Sequence, residues 1–204
     1  MACSQTLKNL TYDCQGNAGG VKEIFILDRT LYDSLGSNCQ PTINTTDLTF
    51  GFTGAFPSSA TQQVFRLEMP RGAASFGTTA VINRETGANY FDNTLAIALN
   101  KLTSDGVKAF LLRALVLGTW VVFARDNNDV VHLIGSDGEG ALATDGTTTT
   151  GTALTDRNGE NVTLTASESY PAPTAEWSAV AAALISGTVI TPAQNNAPAQ
   201  GGEE

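Results

Sequence analysis

The chain has 204 residues, enough for one domain that buries its own core without disulfides or metals. Its formal charge of −9, from 20 acidic and 11 basic residues, leaves too few cations to grip nucleic-acid phosphates. Charged residues make up only 15% of the chain, below the usual quarter, and Thr, Ser, Asn, Gln and Gly take their place.

Residues 1–20 read as a flexible N-terminal arm ending in Gly16-Asn17-Ala18-Gly19-Gly20. Val21 to Leu27 reads as a first strand, with Ile24 and Ile26 on one face and Phe25 and Leu27 on the other. Thr46 to Phe52 alternates through Leu48, Phe50 and Phe52, and Gln63 to Met69 through Phe65, Leu67 and Met69. Tyr90 to Asn100 places Phe91, Leu95, Ile97 and Leu99 on one face and Thr94, Ala96 and Ala98 on the other. Arg84-Glu85-Thr86-Gly87 supplies turn chemistry for a long hairpin.

The period then changes. After the cap-like Thr103-Ser104-Asp105, the apolar positions Val107, Phe110, Leu111, Ala114 and Leu115 predict one amphipathic helix over about 104–117, closed at Gly118. Thr119 to Ala124 is β-branched and aromatic, and Asp126-Asn127-Asn128-Asp129 turns it into Val130 to Ile134. Residues 135–160 read as a Gly-, Thr- and Asp-rich connection, and Asn161 to Ala166 as a last strand. Residues 171–204 read as a C-terminal extension, with an apolar stretch between Trp177 and Ile190 and a mobile acidic tail from Pro192. The expected fold over residues 21–170 is mainly β: an antiparallel sandwich or barrel with one flanking α-helix.

The sequence gives little sign of chemistry. The only histidine, His132, falls in an alternating strand, and no GxSxG, HExxH, Walker A or GxGxxG motif occurs. Asp28 with Asp33 is the nearest thing to an acid–base pair. The Asp126–Asp129, Ser136–Gly140 and Asp156–Gly159 loops are oxygen-rich as calcium sites are, but Asn and Asp also favour tight turns for local reasons. Cys3, Cys14 and Cys39 have no zinc-ligand spacing and read as free thiols in a reducing compartment. No secretory signal is expected at the N-terminus, and the sequons at Asn9, Asn44 and Asn161 are expected to stay unmodified. Lys108 and Arg113 interrupt the apolar run from Val107 to Ala124, each costing about 2.5–3.5 kcal/mol at a bilayer centre, so no membrane span is expected. The expectation is a non-enzyme without catalytic, cofactor or metal residues.

Three stretches carry a family resemblance: Arg84 to Leu95, with Gly87-Ala88-Asn89-Tyr90; Trp120 to Asp126; and Asp156-Arg157-Asn158-Gly159 through Val162-Thr163-Leu164-Thr165. In order and spacing, roughly residues 84–166 resemble virion proteins of phages of Bacteroidetes, including crAss-like phages. The layout is also similar to the phage tail-tube fold. The resemblance implies a tail- or neck-region subunit of the virion, assembled in the host bacterial cytoplasm into a homo-oligomeric ring, six-fold or a multiple, by joining sheets edge to edge. It implies neighbouring virion proteins as further partners and DNA passing through the lumen without specific binding. Two other readings stay open: a capsid decoration or cargo protein, and a glycan- or host-binding module using Trp120 or Trp177.

Overall fold

The computed structural model describes residues 18–35, 40–53, 64–100, 107–153 and 155–187, with the backbone alone for 107–111 and 186–187. The three cysteines, Asn9, most of the N-terminal arm, the Thr103-Ser104-Asp105 cap and the tail from Pro192 lie outside the described residues. In chain order the elements are β1 (Val21–Asp28), α1 (Arg29–Ser34), β2 (Pro41–Asn44), β3 (Thr49–Phe52), β4 (Phe65–Glu68), β5 (Ala74–Asn83) and β6 (Ala88–Asn100). There follow α2 (Val107–Leu117), β7 (Trp120–Asp126), β8 (Val130–Ile134), β9 (Leu142–Thr149), β10 (Gly159–Glu168), β11 (Thr174–Glu176) and α3 (Trp177–Gly187).

The chain is mainly β, in two sheets, and neither sheet closes. One runs β2-β3-β11-β8-β7-β1-β4, with the β11–β3 pair parallel and the rest antiparallel. The other is the antiparallel β5-β6-β10-β9. Of the two expected arrangements, sandwich or barrel, the described residues show no closed barrel but two open sheets, and three helices stand where one was expected.

Burial explains the sequence of the central strands. Ile24, Ile26, Val122, Ala124 and Ile134 share one cluster with Leu95, Ile97, Val162 and Leu164 of the four-stranded sheet. Phe25, Leu27, Val121, Phe123, Val131 and Leu133 form another with Tyr32, Leu35, Phe50, Val180 and Leu184. Strands covered on both faces lose polar alternation and read as continuous apolar runs. A register shift between Val21 and Glu23, where β1 meets β7, places Val21 in the same cluster as Ile24 and Ile26 and frees Glu23 from it.

Several boundaries move. Leu48 does not continue the β3 alternation: it has φ 53, follows a turn where Asn44 Oδ1 accepts from Thr46 N, and its carbonyl accepts from Thr174 N. β9 lies in what the sequence presents as a connection, because its Ala, Gly and Thr residues make a strand with no apolar stripe. Gly146 leaves room for Val116 and Leu112 of α2. β11 and α3 carry the fold beyond residue 170 to Gly187. β11 enters the seven-stranded sheet between β3 and β8, and α3 buries Val180, Ala183 and Leu184. Alanines at 179, 181, 182 and 183 blur the helical period that would have marked α3. The long hairpin turns at Arg84–Gly87 as the sequence indicates, with Ala74–Asn83 as its first arm.

Two left-handed glycines separate conformational strain from collision. At Gly87, φ is +72 and an added Cβ meets nothing within 4 Å. At Gly135, φ is +79 and a Cβ would lie 2.5 Å from the Trp120 carbonyl oxygen and 2.6 Å from Ala141 N. Urea denaturation is expected to show Gly87→Ala losing about 1–2 kcal/mol and Gly135→Ala more than about 3 kcal/mol.

Candidate functional site

The residues that sequence reasoning singles out are spent on local structure. Asp28 Oδ1 accepts from Thr30 N at 2.8 Å and caps α1, while Asp33 pairs with Arg29 at 3.0 Å. The two carboxylates therefore serve separate local contacts. Asp126 Oδ1 accepts from Asn128 N and Val130 N, both at 2.8 Å. Asp137 Oδ2 accepts from Ser169, and Asp156 Oδ2 from Thr152 N, Thr152 Oγ1 and Ala153 N. The Asp126 and Asp156 contacts are turn chemistry, whereas Asp137 reaches Ser169, 32 positions along the chain; their hydrogen bonds hold the Asp137 and Asp156 carboxyls below the ordinary carboxylate range. Among the described residues no three His, Cys, Asp or Glu side chains are grouped to hold a metal ion.

His132 stacks on Phe76 of the other sheet, with ring centroids 4.6 Å apart, and its Nε2 lies 3.7 Å from Asp126 Oδ2. Burial pulls its pKa below 6.5 against the opposing pull of Asp126. A cleft of about 270 Å³ beside it is lined by Ala18, Gly19, Gly20, Phe76, Asp126 and Asn128. No nucleophile faces the imidazole in that lining. Trp120 is in the core, 8% exposed, with its Nε1 donating to Leu115 O at 3.0 Å. Trp177 stacks on Phe25 at 5.7 Å and carries the Arg125 guanidinium 4.0 Å from its ring centre.

Two polar clusters emerge that the sequence reading passed over. In the first, Glu23 accepts from Arg66 of β4 and Arg125 of β7, and Arg125 also pairs with Asp129, which takes Lys22. Burial pushes the Glu23 carboxyl up, but the hydrogen bonds and charges of Arg66 and Arg125 outweigh it and hold it below 4.5. In the second, Glu168 and Asn93 point inward from β10 and β6, 2% and 0% exposed. Asn93 Nδ2 donates to Glu168 Oε2 at 2.6 Å, and Asp137 N to Oε1 at 3.0 Å. Asn93 Oδ1 in turn accepts from Thr78 Oγ1 at 2.7 Å and Ala172 N at 3.2 Å. Burial raises the Glu168 pKa despite these donors. The available signal was parity: Asn93 and Glu168 are polar residues at positions where Leu95–Ile97 and Val162–Leu164 keep the apolar face.

Both clusters join strands and loops to one another, and of their members only Lys22 borders a described cleft. Searches against protein-family models, curated proteins and solved structures find no match to the chain.

The signs of the pKa shifts set the pH response. His132 contributes stability that is present above about pH 6.5 and declines as pH falls toward its lowered folded value. Glu23 contributes stability that is present above 4.5 and lost as pH falls through its own lowered value. Glu168, with a raised pKa, opposes both: its contribution is lost as pH rises through the folded value. Thermal melts across pH 7.5 to 5 should therefore flatten in His132→Gln. At neutral pH, Glu23→Ala should cost about 1.5–3 kcal/mol by removing the carboxylate to which Arg66 and Arg125 both donate, whereas Glu68→Ala, whose side chain is 73% exposed, should cost less than about 1 kcal/mol.

Proposed function

We propose that this chain is a bacteriophage virion structural protein, a β-sandwich subunit of the tail or neck region that assembles with its own copies into a ring around the DNA channel. The observation that carries this reading is a β-ribbon that outruns its own sheet. β5 and β6 pair from Ala74–Ile97 out to Asn83–Ala88, but β10 accompanies β6 only as far as Glu168–Phe91. Beyond that row the two arms pair with each other alone, and Ile82 is 67% exposed. A two-stranded ribbon is marginal in water by itself, and a partner that covers it supplies the missing contacts.

The open sheets add further support. Their free edges, β5 and β9 in one and β2 and β4 in the other, offer unpaired backbone that an isolated protein must blunt and an assembly can use. A net charge of −9 with cations turned into internal pairs suits a surface that DNA passes without adsorbing. The glycan-binding alternative has less support, since Trp120 is in the core and Trp177 is engaged by Phe25 and Arg125.

Light scattering with negative-stain imaging of the purified full chain tests the reading. Closed rings of six or a multiple are expected. A monomer that binds capsids and never forms rings would move the protein to the decoration class instead.

A further inference from the structure

Alternation along the ribbon fixes what its exposed face is. On β5 the inward positions are Ala74, Phe76, Thr78, Ala80 and Ile82, opposite Ile97, Leu95, Asn93, Phe91 and Asn89 of β6. Ala74, Leu95 and Ile97 are buried in the shared core, and Phe76 packs against it. Ala80, in the last β10 row, is exposed on this face, and beyond that row the face runs on to the exposed Ile82. The ribbon tip is thus a continuation of the core face that no other described residue covers.

A second uncovered apolar surface lies at the opposite edge of the same sheet. α2 packs along β9, with Val116 and Leu112 over Gly146. Its residues Arg113, Val116 and Leu117 follow i, i+3, i+4 spacing and so share one side of the helix. All three are exposed, Val116 at 47% and Leu117 at 74%. The ribbon tip belongs to the β5 edge and α2 to the β9 edge, with β6 and β10 between them. One chain therefore cannot close its own ribbon onto its own helix.

Resting on the self-assembly proposed above, we infer that the β5–β6 ribbon tip of one copy docks on the Arg113–Val116–Leu117 side of α2 in the next. The chemistry of the two surfaces matches. Ile82 meets Val116 and Leu117, and the exposed Glu85 of the turn lies near Ile82 in sequence, as the exposed Arg113 lies near Leu117. Two different patches in contact make a head-to-tail interface, which repeats from copy to copy until the rotation closes it. Two chains of charge −9 repel, so a contact built on apolar side chains and one opposite-sign pair is the kind that two copies tolerate.

Disulfide trapping in the full-length chain, with Cys3, Cys14 and Cys39 replaced by Ser, tests this. Ile82→Cys/Leu117→Cys should give a ladder of crosslinked oligomers on oxidation. A mixture of the two single variants should stop at dimers, and each single variant alone should crosslink little. Charge reversal supplies a second reading: Glu85→Arg or Arg113→Glu alone should weaken association several-fold, and the two together should restore it. Rings that form without Ile82–Leu117 crosslinks would overturn this contact while leaving the ring assignment standing. Equal crosslinking by Ile82→Cys alone would replace it with a symmetric ribbon-to-ribbon contact. A chain that stays monomeric and uncrosslinked at high concentration would overturn the contact and the self-assembly together.

Discussion

Trp120 is the constraint on which most of the molecule depends, because three elements meet at it. α2 ends three residues before it, β7 begins with it, and Ala141 at the entry to β9 exchanges both backbone hydrogen bonds with it, at 2.9 and 2.7 Å. Its indole lies against Gly118, where a Cβ would come within 2.4 Å of the ring, and its carbonyl crowds Gly135 and Gly140. Three glycines spread over 23 positions are thus explained by one side chain and one peptide group. The indole N–H also donates to the Leu115 carbonyl, one of the acceptors that a helix leaves open at its C-terminus.

From that point the dependence can be followed outward. The loop bent around Trp120 presents the Gly135 and Asp137 N–H groups to Glu168, which also takes the Asn93 amide. Asn93 then accepts from Ala172 N, fixing the chain just before Pro173, whose carbonyl accepts from Leu133 N. Two residues later β11 joins the seven-stranded sheet, and α3 follows directly and closes the second core cluster. Buried polar groups bind this strongly only when every partner is present, so the Asn93–Glu168 pair links the two sheets' connections rather than merely filling space. The Glu23–Arg125–Asp129 cluster acts directly at the start of α3, since Arg125 lies over the ring of Trp177, the helix's first residue.

What was legible in the sequence follows from which forces leave a periodic trace. The β7–β8 hairpin, α2 and the Arg84–Gly87 turn were readable because apolar spacing and turn residues declare them. β9 and α3 were not. A strand of Ala, Gly and Thr, and a helix rich in Ala, depend on close approach rather than on a stripe of large side chains. Leu48 was misplaced because its left-handed conformation is set by a tertiary hydrogen bond from Thr174, which local pattern cannot report. The polar clusters were hidden for the same reason: Glu23 looks like one more exposed strand carboxylate until Arg66 and Arg125 arrive from distant parts of the chain.

The distribution of charge follows from these networks. Lys22, Arg29, Arg66, Arg125 and Arg157 all point their cationic ends at carboxylates, amide oxygens or backbone carbonyls of the same chain. Among the described cations, Arg66, Arg71, Arg84 and Arg113 are the exposed ones. The outward face of the four-stranded sheet carries Ser75, Thr94, Ala96, Ala98, Thr163 and Thr165, with threonine hydroxyls meeting at Thr144–Thr165, and the carboxylates of Asp92 and Asp145 stand on the same face. Covering such a face desolvates hydroxyls and methyl groups, and hydroxyls can exchange water for each other, whereas an ion would lose its hydration outright. On this face the hydroxyl and methyl positions can therefore be covered at least cost, and Asp92 and Asp145 at most.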